Sequence, residues 1–372
     1  MRTEAAMRKY KVLLLVLVCS LAAYGFVVYL TKTVTTVETI VHWDLKSPSS
    51  PVDNLHAKEQ VAAGPQLASV ATDAQGNFYV IGHKKKVLQV VVVDADGKVI
   101  KTFPLRRKDG RPIPYAAPYF SVSESGSYLW TLRRPVEDMI GRYKWRIPYW
   151  ILSVYDAAGT PLQEWKQTNG RMLLQAVGQN GAYVAEEEDQ TSLYRVGHDK
   201  PERFDKQLGP GDFMDRKGQI WRIYYKTPQR KGGPSGMREY EASVQEIGKA
   251  ARIAYSFQMP VKDGFKPVFW HQDDAGVYFW RYPIGDNGYG IFNVEIAYRV
   301  GSNGIEELFD TSNLLVHKGD LSVQPRKMLK ADKEGFVWME VGYFETKSRL
   351  REYQIIKVSP PMPRWRSWIR GR

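Results

Sequence analysis

Hydrophobic and polar positions divide this chain into two unlike parts. From Val12 to Leu30 no charged residue occurs. Nineteen helical residues rise ~28 Å, close to the ~30 Å hydrocarbon core of a bilayer. A helix with period 3.6 and one polar face is not the pattern here; this run is apolar all round. Beyond it the rhythm changes to short alternating stretches broken by turn residues, which predicts strands. Thr33–Asp44, reading TVTTVETIVHWD, is the first of these, rich in β-branched residues.

The turns repeat. Asp73-Ala-Gln-Gly76 precedes Asn-Phe-Tyr-Val80, and Ser123-Glu-Ser-Gly126 precedes Ser-Tyr-Leu-Trp130. Equivalent units end at Gly181, Gly218, Gly276 and Gly335, so successive glycines lie 37 to 59 residues apart. Gly supplies the positive φ that such a turn requires, and Asp or Ser closes it through its side chain. Second hairpins follow in several units. Leu88–Val93 with Lys98–Phe103 and Trp150–Tyr155 with Thr160–Trp165 are the clearest, joined by Asp94-Ala-Asp-Gly97 and Asp156-Ala-Ala-Gly159. Four strands per unit, six times over, predicts an all-β six-bladed β-propeller.

These units resemble the blades of the NHL and related six-bladed propeller repeats, over roughly Leu67 to Val358. The resemblance implies architecture and is nearly silent on activity. Blade lengths are uneven, and long insertions interrupt several loops. The sixth unit offers strands near Phe336–Phe344 and Glu352–Val358 and then meets Pro360-Pro361, so it lacks an outer strand. Thr33–Asp44 is expected to fill that place and close the ring, because an unpaired edge invites association.

The expected organisation is a cytoplasmic leader over 1–11 and a transmembrane signal-anchor helix over 12–30. A ring-closing strand and linker cover 31–66, the propeller 67–358, and a basic tail 359–372. Arg2, Arg8, Lys9 and Lys11 precede the apolar run, whereas Lys32 alone follows it closely. The positive-inside rule then leaves the N-terminus in the cytoplasm and exports the propeller. The expected location is the cell membrane, crossed once, with the C-terminal domain extracytoplasmic.

Composition narrows the chemistry. Cys19 is the single cysteine and lies within the apolar run. Intrachain disulfides and thiolate metal clusters are excluded. The six histidines are scattered, and no Gly-x-Ser-x-Gly, His-Glu-x-x-His or phosphate-cradling loop occurs. No catalytic residue, cofactor or metal is expected. The alternative is a metal-dependent hydrolase or lactonase using the propeller channel, with Glu186, Glu187, Glu188 and Asp189 near its mouth.

The formal net charge is +13. If strands alternate in direction, the Gly turns lie on one face and the remaining loops on the other. That second face collects Lys84, Lys85, Lys86, Arg106, Arg107, Lys108, Arg134, Arg142, Lys144, Arg230 and Lys231. A surface of one sign steers partners of the other. The expected function is therefore a binding or scaffold module whose basic face meets a protein or an anionic envelope polymer. Export makes nucleic acid an unexpected partner. Trp365, Arg366, Trp368 and Arg370 in the tail suit a membrane interface, where amphipathic aromatics and cations both gain.

Overall fold

The computed structural model describes residues 18–363, apart from 32, 54, 56–69, 114–118, 134–148, 169–171, 180, 187–189, 205–211, 227–236, 247–248, 261–264, 274–275, 284–295, 311–320, 333 and 347–348. It is an all-β six-bladed propeller preceded by one helix, α1, over residues 18–31.

Each blade is a four-stranded antiparallel sheet. Blade 1 holds β3 (Val70–Thr72), β4 (Phe78–Lys84), β5 (Val87–Val93) and β6 (Val99–Pro104), from the axis outward. Blade 2 follows with β7 (Tyr119–Val122), β8 (Tyr128–Arg133), β9 (Trp150–Asp156) and β10 (Pro161–Gln167). Blade 3 has β11 (Leu173–Gly178), β12 (Gly181–Ala185), β13 (Thr191–Tyr194) and β14 (Glu202–Phe204). Blade 4 has β15 (Phe213–Met214), β16 (Gln219–Tyr225), β17 (Met237–Glu246) and β18 (Arg252–Pro260). Blade 5 has β19 (Phe265–Asp273), β20 (Gly276–Pro283), β21 (Ile296–Gly301) and β22 (Gly304–Asp310). Blade 6 supplies β23 (Ser322–Ala331), β24 (Val337–Thr346) and β25 (Arg349–Val358). Its outer strand is β2 (Val37–Asp44), taken from the other end of the chain.

The contacts complete a circle. β3 touches β7, β7 touches β11, β11 touches β15, and blade 4 meets β19 through β16. β19 then touches β23, and β23 returns to β3. Ring closure uses the alternating segment expected from the sequence, with Val37 opposite Val358 and Asp44 opposite Glu352. Buried Val41 and Trp43 enter a core shared by blades 6 and 1, containing Val70, Val80, Val93 and Ile355. Trp43 stacks on Tyr353 with ring centroids 5.4 Å apart. The chain past Pro360-Pro361 does not stop pairing: β26 (Met362–Pro363) bonds to β1 (Thr33–Val34).

Local chemistry fixes the turns. Among the described residues, the Asp or Ser side chain accepts a backbone N–H across the turn in four inner hairpins. Asp73 takes Asn77 N, Ser123 takes Tyr128 N, Asp215 takes Gln219 N, and Asp332 takes Phe336 N. The glycine of each sits at φ between 71° and 88°. Blades 3 and 5 use tighter hairpins instead, with Gly178 opposite Gly181 and Asp273 opposite Gly276.

The described part of the helix covers residues 18–31. Residues 12–17 lie outside the described part, and among the described residues no helix is long and apolar enough to cross a membrane. Within α1, Leu21, Tyr24 and Phe26 are each more than half exposed.

Candidate functional site

The Gly turns and α1 share one end of the ring. Val37, which starts β2, is opposite Val358; Val358 is in turn opposite Val337, two residues beyond Gly335. The far end is where β4 turns into β5 and where β6 leaves for blade 2.

At that far end a loop that carries basic residues is held against the β4–β5 hairpin. Leu88 N–H donates to Ile113 O, Leu105 N–H to Leu88 O, and Ile113 N–H to Leu105 O, each within 3.0 Å. The loop 105–113 is thereby laid beside the start of β5. Lys85, Lys86, Arg106 and Lys108 are exposed, and Arg107 is half-buried. Arg106 donates to Gly110 O at 3.0 Å, which holds the loop upon itself.

The β4–β5 turn is unusual. Lys84 pairs with Val87, leaving a two-residue loop with Lys85 at φ 49° and Lys86 at φ 66°. Such loops favour Asn-Gly, because both central residues need positive φ. A lysine there costs about 1 kcal/mol per residue and persists only where its surroundings hold it. Asp53 does so: its carboxylate accepts Lys85 N–H at 2.8 Å and lies 2.8 Å from Lys84 Nζ. Burial alone would raise the Asp53 pKa, but the bonds from Lys84 and Lys85 outweigh it and hold the carboxyl below its ordinary value.

The two-face sorting expected from strand direction blurs at the rim. Arg106 N–H donates to Gly159 O, and Lys101 Nζ to Ala157 O, both in the outer turn of blade 2. Sheet twist accumulates over four strands and swings each outer strand towards its neighbour's turn. Arg106 therefore stands beside a turn that strand direction alone assigns to the opposite face. Arg134, Arg142, Lys144, Arg230 and Lys231 lie outside the described residues, as do Trp365, Arg366, Trp368 and Arg370.

The turn end of the axis is crossed by a side chain that sequence reading missed. Arg216, in the inner turn of blade 4, donates Nη2–H to Thr72 O of blade 1, diametrically opposite. Burial draws its pKa down, while Glu124 and Asp73 oppose that shift. Beside it Asp73 accepts from Tyr79 OH at 3.1 Å, and the Tyr79 pKa is pushed up to about 12 by burial and by that carboxylate. Lys330 donates to Gly76 O at 3.2 Å and lies 4.5 Å from the Trp338 ring centre. Its pKa is drawn down, chiefly by burial. Arg216, Asp73, Tyr79 and Lys330 are each bonded within this cluster, which ties blades 1, 4 and 6 together.

A second missed feature lies inside blade 2. Thr131, Arg133 and Ser153 are buried, with Ser153 Oγ donating to Glu164 Oε1 at 3.1 Å and Arg133 Nη2 at 4.0 Å from the same oxygen. Glu186 accepts from Tyr194 OH at 2.6 Å, whereas 187–189 lie outside the described residues. Among the described residues, no three His, Cys, Asp or Glu side chains are grouped to hold a metal ion. A polar cleft of about 270 Å³ opens between blades 3 and 4, lined by Tyr183, Arg195, Lys217 and Glu246. Its Arg195 is paired with Glu202 at 2.9 Å.

No family model matches the chain, and no curated protein matches it. Among solved structures it is similar to the WD40 domain of Toxoplasma gondii coronin, at 8% identity over 92% of this chain and 95% of that one, with a TM-score of 0.36. It is also similar to BamB from Moraxella catarrhalis, at 8% identity over 87% and 100%, with a TM-score of 0.35. A prolyl endopeptidase matches at 13% identity over 77% of this chain, TM-score 0.36, and the chain spans only 41% of that enzyme's length. The blade count rests on the strand pairing itself.

Proposed function

We propose that this chain is a membrane-anchored, extracytoplasmic binding or scaffold module, whose far end meets an anionic partner, either a protein or an envelope polymer. The observation that supports this reading is the hydrogen-bonded packing of loop 105–113, with exposed Arg106 and Lys108, beside the start of β5, next to the turn that carries exposed Lys85 and Lys86. Clustered cations of one sign raise the local concentration of anions and speed their encounter. Arg134, Arg142, Lys144, Arg230 and Lys231 extend the same surface on this reading.

The anchor is supported by two features. The run Val12–Leu30 is uncharged with basic residues before it, and Leu21, Tyr24 and Phe26 in the described part of its helix are each more than half exposed. The tail residues Trp365, Arg366, Trp368 and Arg370 would then lie near the headgroups, since β26 ends beside β1 at the helix end of the ring. The full chain is expected to stay with membranes through an alkaline carbonate wash, and deleting residues 12–30 to release it. Release of the intact chain by that wash would rule out the single-pass anchor.

The binding reading is tested with the full chain in neutral detergent and inorganic polyphosphate as probe. Capture should weaken steeply between 50 and 300 mM salt. Reversing two exposed charges, Lys85→Glu with Lys86→Glu, should weaken it by about tenfold, since each surface charge contributes of order 0.5–1 kcal/mol. Capture that ignores both salt and the double reversal would end the proposal.

A further inference from the structure

The stretch that leaves β2 does not hang free over blade 1. Leu45, Val52 and Leu55 are buried, and Asp53 N–H donates to His83 O at 2.6 Å. Lys84 Nζ donates to Ser50 O at 2.7 Å, and Gln89 Nε2 to Pro51 O. This strap delivers the Asp53 carboxylate to the one turn in the described chain where two consecutive non-glycine residues have positive φ.

We infer that Asp53 is the positioning residue of the basic surface: it holds the Lys85–Lys86 turn in its left-handed form and so fixes both lysines beside Arg106 and Lys108 as one anion-binding edge. The inference rests on the reading above that this end binds anions. Nothing local in a Lys-Lys pair selects positive φ at both positions. The acceptor for Lys85 N–H comes instead from 32 residues earlier in the chain. Because Asp53 already occupies that backbone donor and Lys84, what remains for a partner is a row of separate point charges. Such a row fits a repeating anion, with phosphate or carboxylate groups along a polymer, better than one small ligand.

The sign of one substitution separates positioning from bulk charge. Asp53→Ala removes a negative charge beside the lysines, so simple Coulomb attraction would tighten anion binding. Positioning predicts the reverse: polyphosphate binding by the full chain in neutral detergent weakens roughly threefold to tenfold. In a Lys85→Ala, Lys86→Ala background the same change should cause no further loss, because the turn it controls no longer carries charge. Asp53→Asn keeps an oxygen for Lys85 N–H and should fall between; it also serves if the alanine variant does not fold. Unchanged or tighter binding by both Asp53 variants overturns the inference while leaving the surface intact. So does an equal loss in the lysine-free background. If the Lys85→Ala, Lys86→Ala chain binds like the wild type, the surface reading itself has failed.

Discussion

Val41→Asp opens the ring. Val41 is 2% exposed in the closing strand, packed in the core that joins blade 6 to blade 1. A carboxylate there finds apolar neighbours, and burying it unpaired costs several kcal/mol. Against a typical total stability of ~5–15 kcal/mol, a loss of about 4 kcal/mol is severe. The alternative open to the chain is to release β2, which strips blade 6 of its outer strand and exposes the edge of β25 with Ile355 and Ile356. Exposed apolar edges associate. The expected result is a large drop in the thermal midpoint of the full chain in detergent, with self-association on size exclusion. Val41→Ile, which preserves apolarity, should stay within about 1.5 kcal/mol of wild type. A Val41→Asp chain that melts with the wild type and remains monodisperse would mean β2 does not close the ring.

Asp215→Ala has the second largest expected effect, and its worth lies in the comparison with Asp94→Ala. Both residues cap the same kind of turn. Asp94 accepts Asp96 N–H and Lys98 N–H from a half-buried position on the outer hairpin of blade 1. Asp215 is 4% exposed and accepts Lys217 N–H, Gln219 N–H and the Trp221 indole N–H, all within 2.9 Å. Burial raises its pKa despite those three donors, so the site is dry enough to penalise charge. Removing the carboxylate orphans donors that water cannot easily reach, and buried unsatisfied groups cost about 1–3 kcal/mol each. We expect about 3 kcal/mol lost for Asp215→Ala and under about 1 kcal/mol for Asp94→Ala, where water replaces the cap. Denaturant midpoints of the two variants decide it. The same turn carries Arg216, so its loosening also releases the bond to Thr72 across the ring. Equal costs for the two substitutions would show that burial does not set the value of the cap.

What was legible in the sequence was whatever is decided within about ten residues. The positions of the Gly turns, the strands flanking them and the number of blades follow from positive φ at Gly76, Gly126, Gly218 and Gly335 and from side-chain caps only four or five residues away. The aromatic three residues past the glycine is a further local signal. Tyr79 and Trp221 each return to the turn Asp of their own blade. Strand β2 was legible for a different reason: blade 6 lacked a strand, and one alternating segment was unassigned.

The tertiary structure alone decided where charged side chains end up. Arg216 reads as one more polar turn residue until blade 1 is placed opposite it. Arg133 reads as a strand residue of ordinary exposure until the fold buries it near Glu164 of the same blade. Arg106 is assigned to one face by strand direction, yet twist brings it to the outer turn of the next blade. The left-handed lysines depend on a carboxylate delivered by the strap. Alternation and turn chemistry are short-range properties of neighbouring residues, so they are written along the chain. Which groups meet across the ring depends on closure and accumulated twist, which no local stretch contains.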